Sequence, residues 1–329
     1  MELKSEKSPR VFVVIPALNE GKSVGCVVQG CHEILKDVEH QVIVVDGYST
    51  DGTAEAAKKA GATVIYEKGK GYGAALMTGF RHVLDNCPKG NNAESTIVMM
   101  DGDATYIPED IPELIQPIIS GGADIVIGNR FAKMRLGAMT LLNRVGNRFL
   151  TALLNRLYGL KIVDSQSGMR AMRTAALRRM YLEATGMPLA SEMLIEARKH
   201  GMQIMEVPIS YGKRVGIPKL DPLRDGWRIV LTTFRLLTDF SPFLVFGALS
   251  VFFFILSAYF GIEALYGWFM WKYYHLPTWP RLGSALLGTT FFTTAFVLFA
   301  FGLLLDAMLR VLKQLRRLVE EIRETSSRP

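Results

Sequence analysis

Cysteine and histidine are both scarce. The 329 residues hold 3 cysteines and 5 histidines. Cys26, Cys31 and Cys87 form an odd set with no Cys-x-x-Cys spacing, which argues against a disulfide framework or a thiolate zinc site. They read as buried free thiols. His32, His40, His82, His200 and His275 lack metal-ligand spacing and read as structural or surface residues. No G-x-x-x-x-G-K-S/T phosphate loop occurs. Gly69-Lys70-Gly71-Tyr72-Gly73 misses the G-x-G-x-x-G spacing and follows the third expected strand, so it is no dinucleotide fingerprint. It reads as a turn opening a helix, with or without Lys70 near an anionic substrate. An apolar leader is also missing. Met1–Arg10 is charged and Val11–Ile15 is too short for a signal core, so a first strand on the cytosolic side is expected. Acidic excess is absent too: the formal charge is +7. The aromatic residues concentrate in apolar C-terminal segments, which speaks against nucleic acid and for a membrane surface or phosphorylated substrates.

Between residues 10 and about 215 the pattern is α/β. Val11–Ile15, Gln41–Val45, Thr63–Tyr66, Thr96–Met100 and Asp124–Ile127 are short runs rich in Val, Ile and Thr. Helical patterns such as Gly21–Leu35, Thr53–Ala60 and Gly73–Leu84 lie between them. That alternation predicts a mostly parallel, doubly wound sheet, with functional groups at the carboxyl ends of its strands.

Pro242–Ile262 and Leu282–Leu305 are nearly uninterrupted apolar stretches. Each has roughly the ~20 residues that a helix needs to cross ~30 Å of hydrocarbon. Glu263–Arg281, expected as their connection, carries Trp268, Trp271, Tyr273, Tyr274 and Trp279, an interfacial aromatic set. Arg224, Arg228 and Arg235 precede the first span, and Arg310, Lys313, Arg316 and Arg317 follow the second. That bias predicts a hairpin with both termini in the cytosol. Pro222–Phe240 fits either an amphipathic helix on the membrane surface or a helix buried against the first domain.

Asp101-Gly102-Asp103 follows the strand at Thr96–Met100. Two carboxylates one residue apart form a compact oxygen site suited to Mg²⁺ or Mn²⁺ with a phosphate-bearing substrate. Pro16-Ala17-Leu18-Asn19-Glu20 follows the first strand, and Asp46-Gly47-Tyr48-Ser49-Thr50-Asp51-Gly52-Thr53 the second. For Asp51, turn and helix-cap chemistry is expected.

These motifs in this order, with Gly128-Asn129-Arg130-Phe131 and Asp164-Ser165-Gln166-Ser167-Gly168, resemble a family 2 glycosyltransferase of the GT-A fold. With two C-terminal spans, the chain is most similar to the dolichyl- or polyprenyl-phosphate hexose synthases, the dolichol-phosphate mannose synthase group. The resemblance implies an inverting transfer of a hexose from a UDP- or GDP-sugar to dolichyl or polyprenyl phosphate, with Mg²⁺ or Mn²⁺. It implies that Pro16, Ala17, Asn19 and Glu20 border the nucleotide, that Asp46 holds base or ribose, and that Asp101, Gly102 and Asp103 meet the metal-bound diphosphate. Thr105 stands where related mannose synthases carry Gln and would coordinate weakly or through water. Gly47-Tyr48 stands where relatives often have Asp-Gly, which bears on the base that is read.

By family position and charge, Arg130 and Arg144 are the candidates for the acceptor phosphate, with Lys133 and Arg148 behind them. Asp164, and less so Glu192, would orient a sugar hydroxyl or act as base. Arg214 and Lys219, in a Gly- and Pro-containing basic loop, would close on the diphosphate or lipid phosphate. The expected organisation is a catalytic domain over 1–221, a juxtamembrane helix over 222–241, a hairpin over 242–306 and a basic cytosolic tail over 307–329. A homo-oligomer is compatible with this reading. The alternatives are a polysaccharide synthase, whose Gln-x-x-Arg-Trp motif is absent, and a non-catalytic nucleotide-sugar-binding membrane protein.

Overall fold

Short β-branched runs, punctuated by Gly, Asn and Asp, become the strands of the first of two units. The computed structural model describes residues 10–87, 95–135, 137–182, 186–212, 242–274 and 282–326. The chain divides into two compact units, Met1–Gly226 and Trp227–Pro329. Arg214, Lys219, the expected helix over 222–241, Trp279 and Arg281 lie outside the described residues.

Among the described residues seven strands form one sheet: β1 (Val11–Ala17), β2 (His40–Asp46), β3 (Thr63–Tyr66), β4 (Thr96–Met99), β5 (Ile125–Met134), β6 (Arg170–Arg173) and β7 (Ile204–Tyr211), in the order β3-β2-β1-β4-β6-β5-β7. All pairings are parallel except those of β6 with β4 and β5. Every residue of β1 is buried, because helices cover both faces. Helices α1 (Val24–Ile34), α2 (Thr53–Lys59) and α4 (Ile111–Ile119) pack on one face through Val24, Val28, Ala57, Ile111 and Leu114. On the other lie α3 (Tyr72–Asn86), α6 (Thr174–Arg179) and α7 (Leu189–Lys199), through Leu76, Phe80, Leu177 and Met193. The sequence order turns back at β1, which has β2 on one side and β4 on the other. That switch point opens the crevice in which open α/β sheets bind ligands.

Two expectations change here. The strand expected to end at Ile127 runs on to Met134, so Arg130 sits within β5 and not beside its end. The extension arises because β5 leaves β6 after Ile127 and continues along β7, with an irregularity between Asn129 and Lys133. Beyond β5, Thr140 caps α5 (Leu141–Tyr158) by accepting the Asn143 N–H at 3.3 Å.

Among its described residues the second unit is a pair of helices, α8 (Pro242–Tyr274) and α9 (Leu282–Ser326). Both are long and apolar enough to cross a membrane. The expected connection from Glu263 is helical as far as Tyr274, so Trp268, Trp271, Tyr273 and Tyr274 ride on the end of α8. No proline or glycine pair interrupts that stretch, and large residues sustain the helix. The Ser250 hydroxyl donates to the Ala295 carbonyl at 2.7 Å, and Ser257 to Gly288 at 2.9 Å. Small residues let the backbones approach, and hydroxyls satisfy carbonyls that lipid could not.

Candidate active site

The carboxyl ends of β1, β2 and β4 converge on one group of polar residues. Past β1, Asn19 takes a left-handed φ of 50°, which its short polar side chain tolerates. Its N–H donates to Ser49 Oγ at 2.8 Å, and its Oδ1 accepts the Thr50 N–H at 2.9 Å. Glu20 N–H donates to Thr53 Oγ1 at 2.9 Å. Asp51 accepts N–H groups from Gly21 and Thr53, which is the expected turn chemistry. The Asn-Glu and Ser-Thr-Asp motifs therefore bind each other and frame the end of β1, where Pro16 and Ala17 pair in register with Val45 and Asp46.

Asp46 is the notable residue of this frame. It is 1% exposed. Its Oδ2 accepts the Ser49 N–H at 3.1 Å, while its Oδ1 is buried with no hydrogen-bond partner among the described residues. A buried carboxylate oxygen without a donor is costly, and a ligand N–H or O–H would satisfy it.

At the end of β4, Asp101 Oδ1 accepts from the Tyr72 hydroxyl at 2.9 Å. Burial, with Asp101 close by, pushes the Tyr72 pKa well above its ordinary 10.0, so the phenol stays a donor. Asp103 Oδ1 accepts both the Thr105 N–H at 3.0 Å and its hydroxyl at 2.6 Å. Thr105 thus fixes one oxygen of Asp103. The turn is anchored on both flanks. Ser23 of the α1 cap donates to the Gly102 carbonyl at 2.8 Å, and Gly212 N–H donates to the Thr105 carbonyl at 2.8 Å. Beneath it, Gly168 N–H donates to the Tyr106 hydroxyl at 2.7 Å. A Cβ on Gly168 would stand 2.9 Å from Asp101 Oδ2 and 3.1 Å from both the Tyr72 and Tyr106 hydroxyls, so a side chain there would push the Asp101 carboxylate aside. Among the described residues no three acidic, His or Cys side chains cluster as a full metal-ligand set. Two carboxylates still fit Mg²⁺ or Mn²⁺, ions that take few protein ligands when substrate phosphates share the shell.

Arg130 and Asp164 are brought together, onto each other. Arg130 Nε and Nη2 donate to Asp164 Oδ2 and Oδ1 at 2.7 and 2.8 Å, and the Arg130 N–H adds a third bond at 3.2 Å. Asp164 is wholly buried and Arg130 is 6% exposed. Burial works against the Arg130 charge, but Tyr106 and the Asp164 carboxylate outweigh it and hold its pKa above the ordinary range. Glu206 on β7 takes the N–H groups of Val163 and Asp164 at 2.7 and 2.8 Å, fixing the loop that carries Asp164. Arg170 of β6 is fully buried beneath, donating to the carbonyls of Ser165, Ser167 and Ala190 at 2.7–3.0 Å. Burial pulls its pKa down to about 10. Tyr72, Tyr106, Gly168, Arg170 and Glu206 carry the site without having stood out as ligands in the sequence.

The remaining cations lie outward. Arg144 and Arg148 are exposed on α5, and the Arg148 guanidinium stands 5.9 Å from the centre of the Phe131 ring. Lys133 is exposed and pairs with Glu113 at 3.5 Å. Lys70 is exposed in the turn before α3, and Glu192 is half-buried in the first turn of α7. The same α5 exposes Leu141, Leu142, Val145 and Phe149.

A sheet with a carboxylate pair at its switch point also carries the sequence signature of a known family, whose model, Glycosyl transferase family 2, matches residues 12–181. The chain belongs to glycosyltransferase family 2. This glycosyltransferase is 37% identical over 217 residues to a dolichyl-phosphate hexose transferase of Haloferax volcanii, covering 65% of this chain and 88% of the relative. It is 38% identical over 230 residues to the low-salt glycan biosynthesis hexosyltransferase Agl6 of the same organism, covering 69% of this chain. It spans about half of Agl6, 53%. Among solved structures it resembles glucosyl-3-phosphoglycerate synthase of Mycobacterium tuberculosis in complex with Mn²⁺, UDP-glucose and phosphoglyceric acid. The TM-score is 0.56 at 26% identity, over 70% of this chain and 79% of that one.

Proposed function

We propose that this glycosyltransferase moves a hexose, with inversion, from a UDP- or GDP-sugar to dolichyl or polyprenyl phosphate. The observation that carries the reading is the pairing of an unsatisfied, buried Asp46 Oδ1 at the end of β2 with the Asp101–Asp103 pair at the end of β4. The first suits an N–H or O–H of the nucleoside. The second would hold the Mg²⁺ or Mn²⁺ that, when bound, offsets the diphosphate charge as a Lewis acid. Thr105 and Tyr72 keep the two carboxylates in place by donating to one oxygen of each.

The acceptor's chemistry sets the rest. A phosphate monoester has a second pKa of about 6 and is largely dianionic near pH 7, so it needs positioning more than a general base. Arg144, Arg148 and Lys133, all exposed, would bring positive charge to it, as would Arg130 held by Asp164. Asp164 acts through Arg130, since both of its oxygens are engaged by that guanidinium. Leu141, Leu142, Val145 and Phe149, exposed beside Arg144 and Arg148, suit an acceptor that lies at a lipid surface. The apolar helices α8 and α9 would hold the enzyme in the bilayer, with both termini cytosolic by the distribution of Arg and Lys.

Asp103→Ala tests this directly. Transfer of radiolabelled sugar to polyprenyl phosphate is expected to fall at least ~100-fold, the order of loss seen when one key electrostatic stabiliser is removed, while membrane insertion stays intact and Tm falls only by the loss of the two hydrogen bonds from Thr105. Full transfer in that variant would refute the assignment of the pair.

A further inference from the structure

Tyr48 is an unusual residue to find where it stands. Its φ of 60° is left-handed, a conformation that an aromatic L-residue rarely adopts. Its ring is not used for the core, since the residue is 65% exposed. Instead it stacks on Tyr66, itself 46% exposed, with centroids 5.4 Å apart and planes 22° from parallel. Two exposed rings that rest on each other bury little from water, so the fold gains little for the strained backbone. Strain of this kind persists where a site needs it.

The position of the pair supplies the need. Tyr66 is the register partner of Asp46 on the neighbouring strand. Register partners on parallel strands project to the same side of the sheet, so the Tyr66 ring and the Asp46 carboxylate share a face. Tyr48 follows Asp46 by two residues, and the Asp46 Oδ1 is buried without a hydrogen-bond partner among the described residues. Leu18, 49% exposed past β1, adds apolar surface; a Cβ on Gly47 would lie 3.4 Å from its Cδ1. An unsatisfied acceptor next to a two-ring aromatic surface matches a flat heterocycle that carries an N–H in its plane. Aromatic rings bind the π-face of any base, and the carboxylate takes the edge.

We propose that Tyr48 and Tyr66 form an aromatic platform that carries the nucleobase of the donor. This rests on the nucleotide-sugar reading above and deepens it: Tyr48 is a donor-affinity residue, and the sugar and diphosphate do not touch it.

The test is equilibrium binding to the full-length protein in nanodiscs, with Mn²⁺ present. UDP, GDP and inorganic pyrophosphate are titrated against wild type, Tyr48→Gly and Tyr66→Leu. Glycine relieves the left-handed strain, so Tyr48→Gly is expected to hold or raise Tm. Its affinity for the nucleoside diphosphate that wild type binds should nevertheless fall about tenfold, the scale of one lost base–aromatic stack, with pyrophosphate affinity unchanged. Tyr66→Leu should weaken the same nucleotide and spare pyrophosphate too. Nucleotide affinity equal to wild type in both variants overturns the platform and leaves the donor reading standing. An equal loss for nucleotide and pyrophosphate also overturns it, since the damage would then be general. Absence of UDP and GDP binding to wild type that still binds Mn²⁺-pyrophosphate refutes the nucleotide-sugar reading itself.

Discussion

Asp164, with both oxygens on Arg130 and no exposure, sets the logic of this site at the scale of single residues. A carboxylate so placed holds a guanidinium and its loop. Removing one member of a buried ion pair leaves the other charge uncompensated, at a cost of about 3–5 kcal/mol. Asp164→Asn is therefore expected to lower Tm and to raise KM for the lipid phosphate more than KM for the donor. Equal stability to wild type in thermal unfolding would contradict the pairing. Asp51 gives a pH prediction. Burial nudges its pKa up, but the Thr53 hydroxyl and the N–H groups of Gly21 and Thr53 outweigh that and hold it below the ordinary 3.8. A carboxyl with a lowered folded pKa stabilises above its unfolded value, and that contribution disappears as pH falls through the folded one. Asp51→Asn should be less stable than wild type near pH 7, because a neutral amide replaces the carboxylate that accepts from Gly21 and Thr53, and the gap to wild type should close below pH 3.8 in acid titrations. A gap that persists there would argue against the ionised carboxylate as the stabilising form. Asp46 and Asp101 could be picked out in the sequence because each directly follows an apolar strand run, and Asp103 because it stands one residue beyond Asp101. Tyr72, Tyr106 and Glu206 could not. Their tasks exist only across long separations, as when Tyr106 meets Gly168 or Glu206 meets Asp164.

Among the elements, the first four strands and three helices were readable because β-branched runs alternate with helical periodicity. β6 and β7 were not. β6 is Arg170-Ala171-Met172-Arg173, half arginine, and it is a central strand only because Arg170 finds three buried carbonyls. β7 contains Glu206 and Pro208, both marks of a loop or edge, and it is indeed an edge strand. The hairpin helices were readable by length and apolarity, though not the end of α8, since helix and interfacial loop share the same aromatic composition. Their contact makes its own prediction. A Cβ on Gly288 would lie 3.2 Å from the Gly261 backbone nitrogen, whereas one on Gly283 meets nothing within 4 Å. Gly288→Leu should force α8 and α9 apart and destabilise the hairpin by about 1–3 kcal/mol, as overpacking does. Gly283→Leu should change nothing measurable. Denaturant titration of the protein in micelles compares the two, and equal stabilities would contradict the close contact between Gly261 and Gly288.

At the scale of the whole molecule, one chain joins a family 2 glycosyltransferase domain to two apolar helices, each long enough to cross a bilayer. The combination suits a donor that is soluble and an acceptor that is not. A polysaccharide synthase would share the donor site but deliver the sugar to a growing polymer, and a binding protein would deliver it nowhere. The measurement that separates these is product analysis. The full-length protein in liposomes containing polyprenyl phosphate and Mn²⁺ is given radiolabelled UDP-glucose, UDP-N-acetylglucosamine and GDP-mannose in turn. The account predicts that at least one donor yields label in the organic phase as a β-linked, acid-labile monosaccharide phosphate lipid. Label in polymer, or no labelled lipid from any donor with folded protein, would contradict it.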